Sequence, residues 1–473
     1  MERLKLKKSD IGLIGLGTMG SMLALNIAEK GFRISVFNRT TAITKNFSKT
    51  AGKLSDNITP CETLHELATT IKNPRAIILM VPAGSAVDEQ IAALRPLLNP
   101  EDIIIDAGNA DFNQTNRRAS EALENGTSFL GIGVSGGETG ARYGPSIMSG
   151  GSKQSWERVS HLFEAIAAKY DGQPCAKWMG EEGAGHFVKT IHNGIEYADM
   201  QMIAEIYGIM RDGMQLDAQE CSKIFERWNN GALKSYLIEI TSKVLAAKDI
   251  ETGKPIIELI IDRAGQKGTG RWTAVEAQHL GAPIPSIEAA VAARNLSANL
   301  DTRKNGELVF GPAPKILPER GLDLGNLEAA LIAGKILCYA QGFALLSSAN
   351  STFSWSLPLP EIAKVWREGC IIRSSMLNDM ASALAQNPIE NLMFAPYFVN
   401  ILKSKSNALR EVVTTSLSSG LPIPALSSAL TYFDMMRTSR STANIIQAQR
   451  DYFGAHSFER FDKLGTHHGP WSD

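Results

Sequence analysis

The chain lacks any cysteine pair at metal-binding or redox spacing. Its five cysteines, Cys61, Cys175, Cys221, Cys338 and Cys370, are scattered and form no CxxC. That pattern argues against a disulfide framework and suits reduced thiols in a cytoplasmic compartment. The histidines form no HExxH and no His/Asp ligand spacing, and the pair His467-His468 reads as a polar tail, so no metal is expected. Excess charge of one sign is missing too: 48 Lys and Arg face 49 Asp and Glu, a net charge of −1. Bulk attraction to nucleic acid or to a membrane surface therefore has no basis. No apolar run reads as long enough to span a bilayer. The opening MERLKLKKSD, followed by IGLIGLG, imitates a basic segment before a short apolar one. The rest of a signal peptide is missing. No internal repeat is evident.

What is present divides the chain. Its 473 residues allow two or three domains with well-buried cores. From residue 11 to about 180, short β-rich runs alternate with helical stretches. Candidate strands are Ile11–Ile14, Ile34–Phe37, Ala76–Val81, Ile103–Asp106 and Phe129–Val134. They are mostly apolar, as parallel strands covered on both faces are. The segment DGQPCAKWMGEEGAG, Asp171 to Gly185, is rich in breakers and reads as a domain boundary. From His186 to about Arg440 the pattern is one of long amphipathic helices. Arg263–Trp272 and Lys304–Gly321 read as irregular interruptions. From Ser441 onward the chain reads as a helix end and an extended tail, too poor in apolar residues to fold alone. The expected division is 1–182, 183–440 and 441–473, an α/β domain, a large all-α domain and a tail.

Gly15-Leu16-Gly17-Thr18-Met19-Gly20 follows one β-run directly and opens a helical pattern. GxGxxG alone is weak; strand before, helix after and a second strand beyond make it a dinucleotide turn. Gly15 permits the tight turn, Gly17 lets backbone approach a pyrophosphate, and Gly20 allows close helix–strand packing. The second strand ends in Phe37-Asn38-Arg39-Thr40, where an NAD site wants a carboxylate. Nothing there repels a 2′-phosphate, and Arg39 is able to clamp one, so the expected cofactor is NADP.

Five polar residues share one helix face in VKTIHNGIEYADM. Lys189, His192, Asn193, Glu196 and Tyr197 recur at helical spacing. Val188, Ile191, Ile195 and Met202 supply a separate apolar stripe. A solvated face usually repeats interchangeable Glu, Lys and Gln. An amine, an imidazole, an amide, a carboxyl and a phenol beside the helix-weakening Gly194 suit proton transfer around one small ligand. Cations that suit an anionic group are Lys267 in a glycine-rich loop, Arg294 on an otherwise apolar helix, and Arg450 with His456 in RDYFGAH. Each alone is more often structural or solvated, and spacing does not show whether they converge.

These motifs resemble one family, the decarboxylating 6-phosphogluconate dehydrogenases, over essentially the whole chain. The resemblance lies in GLGTMG, FNRT, GVSGGETGARYGPS, GAGHFVKTIHNGIEYADMQ, GQKGTGRWT, GCIIRS, APYF and QAQRDYFGAH. It implies a Rossmann-like N-terminal domain, a large helical domain and a tail that reaches into the partner subunit of a homodimer. It also implies a cytoplasmic enzyme of the pentose phosphate pathway and of gluconate use. Lys189 would be the general base and acid, and Glu196 the acid that protonates an enediol. Substrate contacts would come from Asn109, Ser135, Gly136, Gly137, His192, Asn193, Tyr197, Lys267, Thr269 and Arg294, with Arg450 and His456 from the other subunit. The cofactor would lie along Gly15 to Gly20, Asn38, Arg39, Thr40, Val81, Pro82, Ala83 and Asn109.

Three stretches depart from the family pattern. Val81-Pro82-Ala83-Gly84 stands for VKAG, Asp106-Ala107-Gly108-Asn109-Ala110 for DGGN with Ser or Thr, and Ser149 for a common proline. Pro82 removes a cation and a backbone N–H from the cofactor side. Two rival functions follow: a 3-hydroxyacid dehydrogenase for a smaller substrate, and a catalytically silent sensor of NADP and sugar phosphate. Lys267, Arg294 and the tail speak against the first, and the Lys189/Glu196 pair against the second.

Overall fold

A computed structural model describes residues 7–266, 268–318, 321–387 and 391–471. The N-terminal part is built on one eight-stranded sheet. Its strands are β1 (Ile11–Ile14), β2 (Ile34–Phe37), β3 (Ile58–Cys61), β4 (Ala76–Leu79), β5 (Ile103–Asp106), β6 (Ser128–Val134), β7 (Ile147–Gly151) and β10 (Ala176–Gly180). A two-residue ladder, β8 (Lys169–Tyr170) with β9 (Gln173–Pro174), lies between the last two. The spatial order is β10-β7-β6-β5-β4-β1-β2-β3. All neighbours pair in parallel except β6 with β7. Chain order reverses around β1, which pairs with both β2 and β4. Such a switch point leaves a crevice beyond the strand ends, where α/β sheets hold ligands.

Several expectations need correction. β3, β7 and β10 escape a reading by β-propensity. β3 contains Pro60, and β7 (IMSGG) is too rich in glycine to look like a strand. β10 runs inside the segment read as a boundary of breakers, and β7 and β10 together run against the other six strands. The run Ala76–Val81 is strand only to Leu79. A helix, Leu300–Phe310, occupies part of the stretch read as irregular from Lys304.

A 25-residue helix, Ala184–Gly208, leaves the sheet domain. Its first turns lie on β6 and β7, close enough that a Cβ on Gly133 would collide with the Lys189 stem. Beyond it the chain is helical. At the centre is the 30-residue helix Leu324–Phe353, packed against Ala184–Gly208 and Pro396–Ser418. This helix corrects the bilayer expectation. Its best window reaches a mean hydropathy of 1.6, enough by length and composition to cross a membrane, yet 89% of that window is buried inside the protein. One cation lies in it: Lys335, fully buried, donates to both oxygens of Asp199 at 2.7 Å.

The tail is more than a helix end and an extended strand. A helix, Ala443–Gly454, is followed by a small antiparallel pair, β11 (Phe458–Glu459) with β12 (Thr466–His467). His468, read as part of a polar end, is bound to Asp451 at 2.6 Å. Among the described residues, every hydrogen bond and ion pair of 443–471 stays within the tail.

Candidate active site

The glycine turn sits at the switch point. Gly15 has φ +100° and lies so close to the Met80 carbonyl that a Cβ would clash. A Cβ on Gly20 would strike the Gly15 carbonyl, whereas one on Gly17 would meet nothing within 4 Å. The outer glycines thus serve packing, and Gly17 faces open space. Gly17 caps the helix Thr18–Glu29 without any side-chain hydrogen bond. The N–H groups of that first turn are therefore available to a pyrophosphate. Asn38 fastens the turn from β2: its Oδ1 accepts from the Leu16 N–H at 3.0 Å, while its own N–H donates to Thr44 Oγ1 at 3.0 Å. Arg39 and Thr40 are exposed beside it, as are Pro82, Ala83 and Asn109. An open glycine, an uncapped helix start and a free guanidinium fit a phosphorylated dinucleotide. Asp106 secures the neighbouring turn by accepting from the Gly108 N–H at 3.0 Å.

On the Ala184–Gly208 helix, Lys189, His192, Asn193 and Tyr197 are buried. Lys189 Nζ donates to Asn193 Oδ1 at 2.7 Å and to Ser135 Oγ at 3.0 Å. Ser135 Oγ lies 3.3 Å from His192 Nε2, and His192 Nδ1 lies 3.0 Å from Asn193 Oδ1. The consistent proton assignment places hydrogen on Nδ1, aimed at Asn193, and lets Nε2 accept from the serine hydroxyl. Glu196 Oε2 is 3.8 Å from His192 Nδ1. Ser135 comes from the end of β6, and the next residues, Gly136 and Gly137, open the helix Gly137–Tyr143.

Burial governs the protonation here. It lowers the Lys189 pKa, outweighing the nearby Glu196 carboxylate. It raises the Glu196 pKa against the opposing pull of Lys189 and Arg294. His192 is held well below its ordinary range, by burial first and by Lys189 next, and is neutral. The amine and the acid are thus both pushed toward their uncharged forms.

The anion-binding candidates divide. Arg294 sits over the Tyr197 ring, 3.5 Å from its centre, and donates to the Gly265 carbonyl at 3.3 Å. Thr269 is buried and begins the helix Thr269–His279, with Gly270 pressed against the same tyrosine ring. Lys267 lies outside the described residues. Arg450 and His456 are not brought to this cluster; their contacts are Gln447 and Phe453, within the tail. Sequence reasoning missed Trp366, whose ring meets His192 edge-on at 5.7 Å. It also missed the pair formed by Asp199, on the same helix, and Lys335, on the helix Leu324–Phe353 packed against it. A lone lysine in an apolar run was the available signal for that pair; Trp366 had none.

A glycine turn at a sheet switch point, with a buried amine and a half-buried acid on the next domain's first helix, is the layout of a nicotinamide-nucleotide dehydrogenase. Residues 10–180 match the family model described as the NAD binding domain of 6-phosphogluconate dehydrogenase. Residues 185–471 match its C-terminal domain. A Bacillus subtilis protein named as NADP(+)-dependent, decarboxylating 6-phosphogluconate dehydrogenase is 47% identical over 98% of this chain and 100% of its own. Another from the same organism, named as NAD(+)-dependent, is 44% identical over 98% and 100%. The solved Plasmodium falciparum 6-phosphogluconate dehydrogenase, studied in apo form and with NADP+ or 6-phosphogluconate, is 42% identical. It covers 98% of this chain and 100% of its own, with a TM-score of 0.94. The chain belongs to the 6-phosphogluconate dehydrogenase family.

Proposed function

We propose that this protein converts 6-phospho-D-gluconate to D-ribulose 5-phosphate and CO2 while reducing NADP. The observation that carries this is the buried Lys189 amine, held by Ser135 and Asn193 and electrostatically coupled to Glu196. When bound, NADP supplies the hydride acceptor. Gly15, Leu16, Gly17, Thr18, Met19, Gly20, Asn38, Arg39, Thr40, Val81, Pro82, Ala83 and Asn109 would hold it.

Lys189 acts first as a base. As the neutral amine that burial favours, it takes the proton of the C3 hydroxyl during oxidation. The product is a 3-keto acid, whose carbonyl is β to the carboxylate. The electron pair of the breaking carbon–carboxylate bond flows into that carbonyl as CO2 leaves. Protonated Lys189 then donates to the developing enolate oxygen. Glu196, whose pKa burial raises, delivers a proton to C1 of the enediol while Lys189, neutral again after its donation, takes the proton of the enediol hydroxyl and leaves the ketone. Neutral His192 and Asn193 orient hydroxyls and carboxylate, with Asn109, Ser135, Gly136, Gly137 and Thr269 along the sugar chain. Tyr197, Lys267 and Arg294 take the phosphate together with Arg450 of a second copy, whose His456 also contacts the substrate.

The tail supports that last assignment. It leaves Ile445, Ile446, Tyr452, Phe453, Phe461 and Leu464 exposed. An arm with apolar residues outward and bonds only to itself suits docking on a partner, so the protein is read as a homodimer with exchanged tails. The working division is residues 1–182 for nucleotide, 183–440 for substrate and dimer contacts, and 441–473 for the arm. All five cysteines are free and buried, which suits a reducing, cytoplasmic setting.

One assay tests the reaction: NADPH absorbance with CO2 detection, on 6-phosphogluconate and on short 3-hydroxy acids. Turnover of the short acids alone, or binding without turnover, overturns it. The coenzyme assignment has its own test. Arg39→Ala weakens NADP binding roughly ten- to hundredfold, the worth of a charged hydrogen bond. A dissociation constant within about twofold of the parent removes Arg39 from the 2′-phosphate.

A further inference from the structure

Asp451 is buried in a tail whose other residues are mostly exposed. Its Oδ1 accepts from the Ser457 N–H at 2.7 Å and from His468 Nδ1 at 2.6 Å. Its Oδ2 accepts from the Gly469 N–H at 2.8 Å and from Trp471 Nε1 at 2.6 Å. Four donors fill the carboxylate. Its backbone carbonyl also takes the Ala455 N–H at 2.9 Å.

These bonds bracket His456. Ala455 and Ser457, on either side of it, have φ of 50° and 60°. Left-handed backbone at non-glycine residues persists only where surrounding contacts enforce it. Asp451 grips the amide of both, one through its main chain and one through its side chain. The Ser457 carbonyl accepts in turn from Gln447 Nε2, and Gln447 Oε1 accepts from Arg450 Nη1 at 3.0 Å. One carboxylate therefore fixes the turn that carries His456 and, through Gln447, the guanidinium of Arg450.

We propose that Asp451 is a positioning residue, which folds the tail into a clip and sets Arg450 and His456 for the phosphate end of the substrate. The proposal rests on the assignment of those two residues to the substrate site. The donor geometry makes a sharp demand: an asparagine amide would turn an NH2 toward N–H groups, so Asp451→Asn breaks the clip while conserving shape.

The test uses the full-length enzyme. Asp451→Asn raises KM for 6-phosphogluconate about tenfold or more, while KM for NADP stays fixed and kcat falls much less. Hydrogen exchange quickens at the Ser457 and Gly469 amides. Gln447→Leu, which leaves the four carboxylate bonds in place, raises the same KM without loosening those amides. Arg450→Ala is the control. A raised KM in Arg450→Ala with parental KM in Asp451→Asn overturns the positioning role and leaves the tail assignment standing. Parental KM in both variants overturns the tail assignment and the positioning role with it. A uniform loss of kcat and both KM values in Asp451→Asn, with dissociation in sedimentation, overturns positioning in favour of a purely structural role.

Discussion

Lys189→Ala eliminates NADPH formation from 6-phosphogluconate and also stops decarboxylation of added 3-keto acid. The two losses share one cause. In the proposed mechanism the same nitrogen removes the hydroxyl proton and later donates to the enolate oxygen. General acid–base catalysis is worth roughly 10²–10⁴, and loss of a preorganised donor to a developing oxyanion costs roughly 10²–10³. Each half-reaction therefore falls by at least about a hundredfold, and the overall rate by more. Substrate binding changes less, because the phosphate contacts remain. Wild-type rates in either half-reaction take Lys189 out of that step. Glu196→Gln separates the final stage: oxidation and CO2 release persist better than ketonisation of the enediol, and normal tautomerisation in that variant moves the acid role elsewhere.

The pH dependence follows from the same pair. As the proposed base Lys189 must be neutral, and its pKa is lowered by burial. So kcat/KM climbs as pH rises through a value below that of an ordinary lysine. As the proposed acid Glu196 must be protonated, and its pKa is raised by burial. So activity falls as pH rises through a value above that of an ordinary glutamate. The active form, neutral amine with neutral acid, holds as many protons as the ion pair does. Bulk pH does not choose between those two; desolvation does, because it penalises both charges. A profile without the alkaline limb in Glu196→Gln is the expected signature.

The parts of this molecule that were legible from sequence are those in which local pattern and global role coincide. β1, β2 and β5 are short, mostly apolar runs, and the turn after β1 needs glycine for reasons that hold at short range. The polar face of the Ala184–Gly208 helix was legible because helical spacing alone puts Lys189, His192, Asn193, Glu196 and Tyr197 together. β7 was not. It is glycine-rich where that helix presses onto the sheet, and Gly150 has no room for a Cβ against the Gly185 amide. Tertiary approach there overrides β-propensity. Trp366 reaches His192 from the end of the helix Leu359–Val365, a contact no spacing encodes. The clip around Asp451 joins donors up to twenty positions away. Its members look like ordinary polar tail residues until the chain closes on itself.

Lys335→Met destabilises the fold by about 3–5 kcal/mol, the cost of leaving a buried charge unpaired. Lys335 and Asp199 are both shielded from water, and the ammonium donates to both carboxylate oxygens. Methionine fills a similar volume, so the loss is electrostatic rather than a cavity. Asp199 then has no partner within the core and either unfolds its surroundings or takes up a proton. Replacing both residues, Lys335→Met with Asp199→Leu, restores most of the stability, since two apolar side chains carry no desolvation penalty. Urea unfolding of the single variants and the double variant measures the coupling. Additive losses would show that the pair does not act as a unit. Asp199 lies one turn beyond Glu196 on the same helix, and its charge helps to raise the Glu196 pKa. The double variant should regain the fold and yet lose part of that elevation. Its alkaline limb should then move to lower pH, the shift expected if the ion pair is kept for proton chemistry above it and not for stability alone.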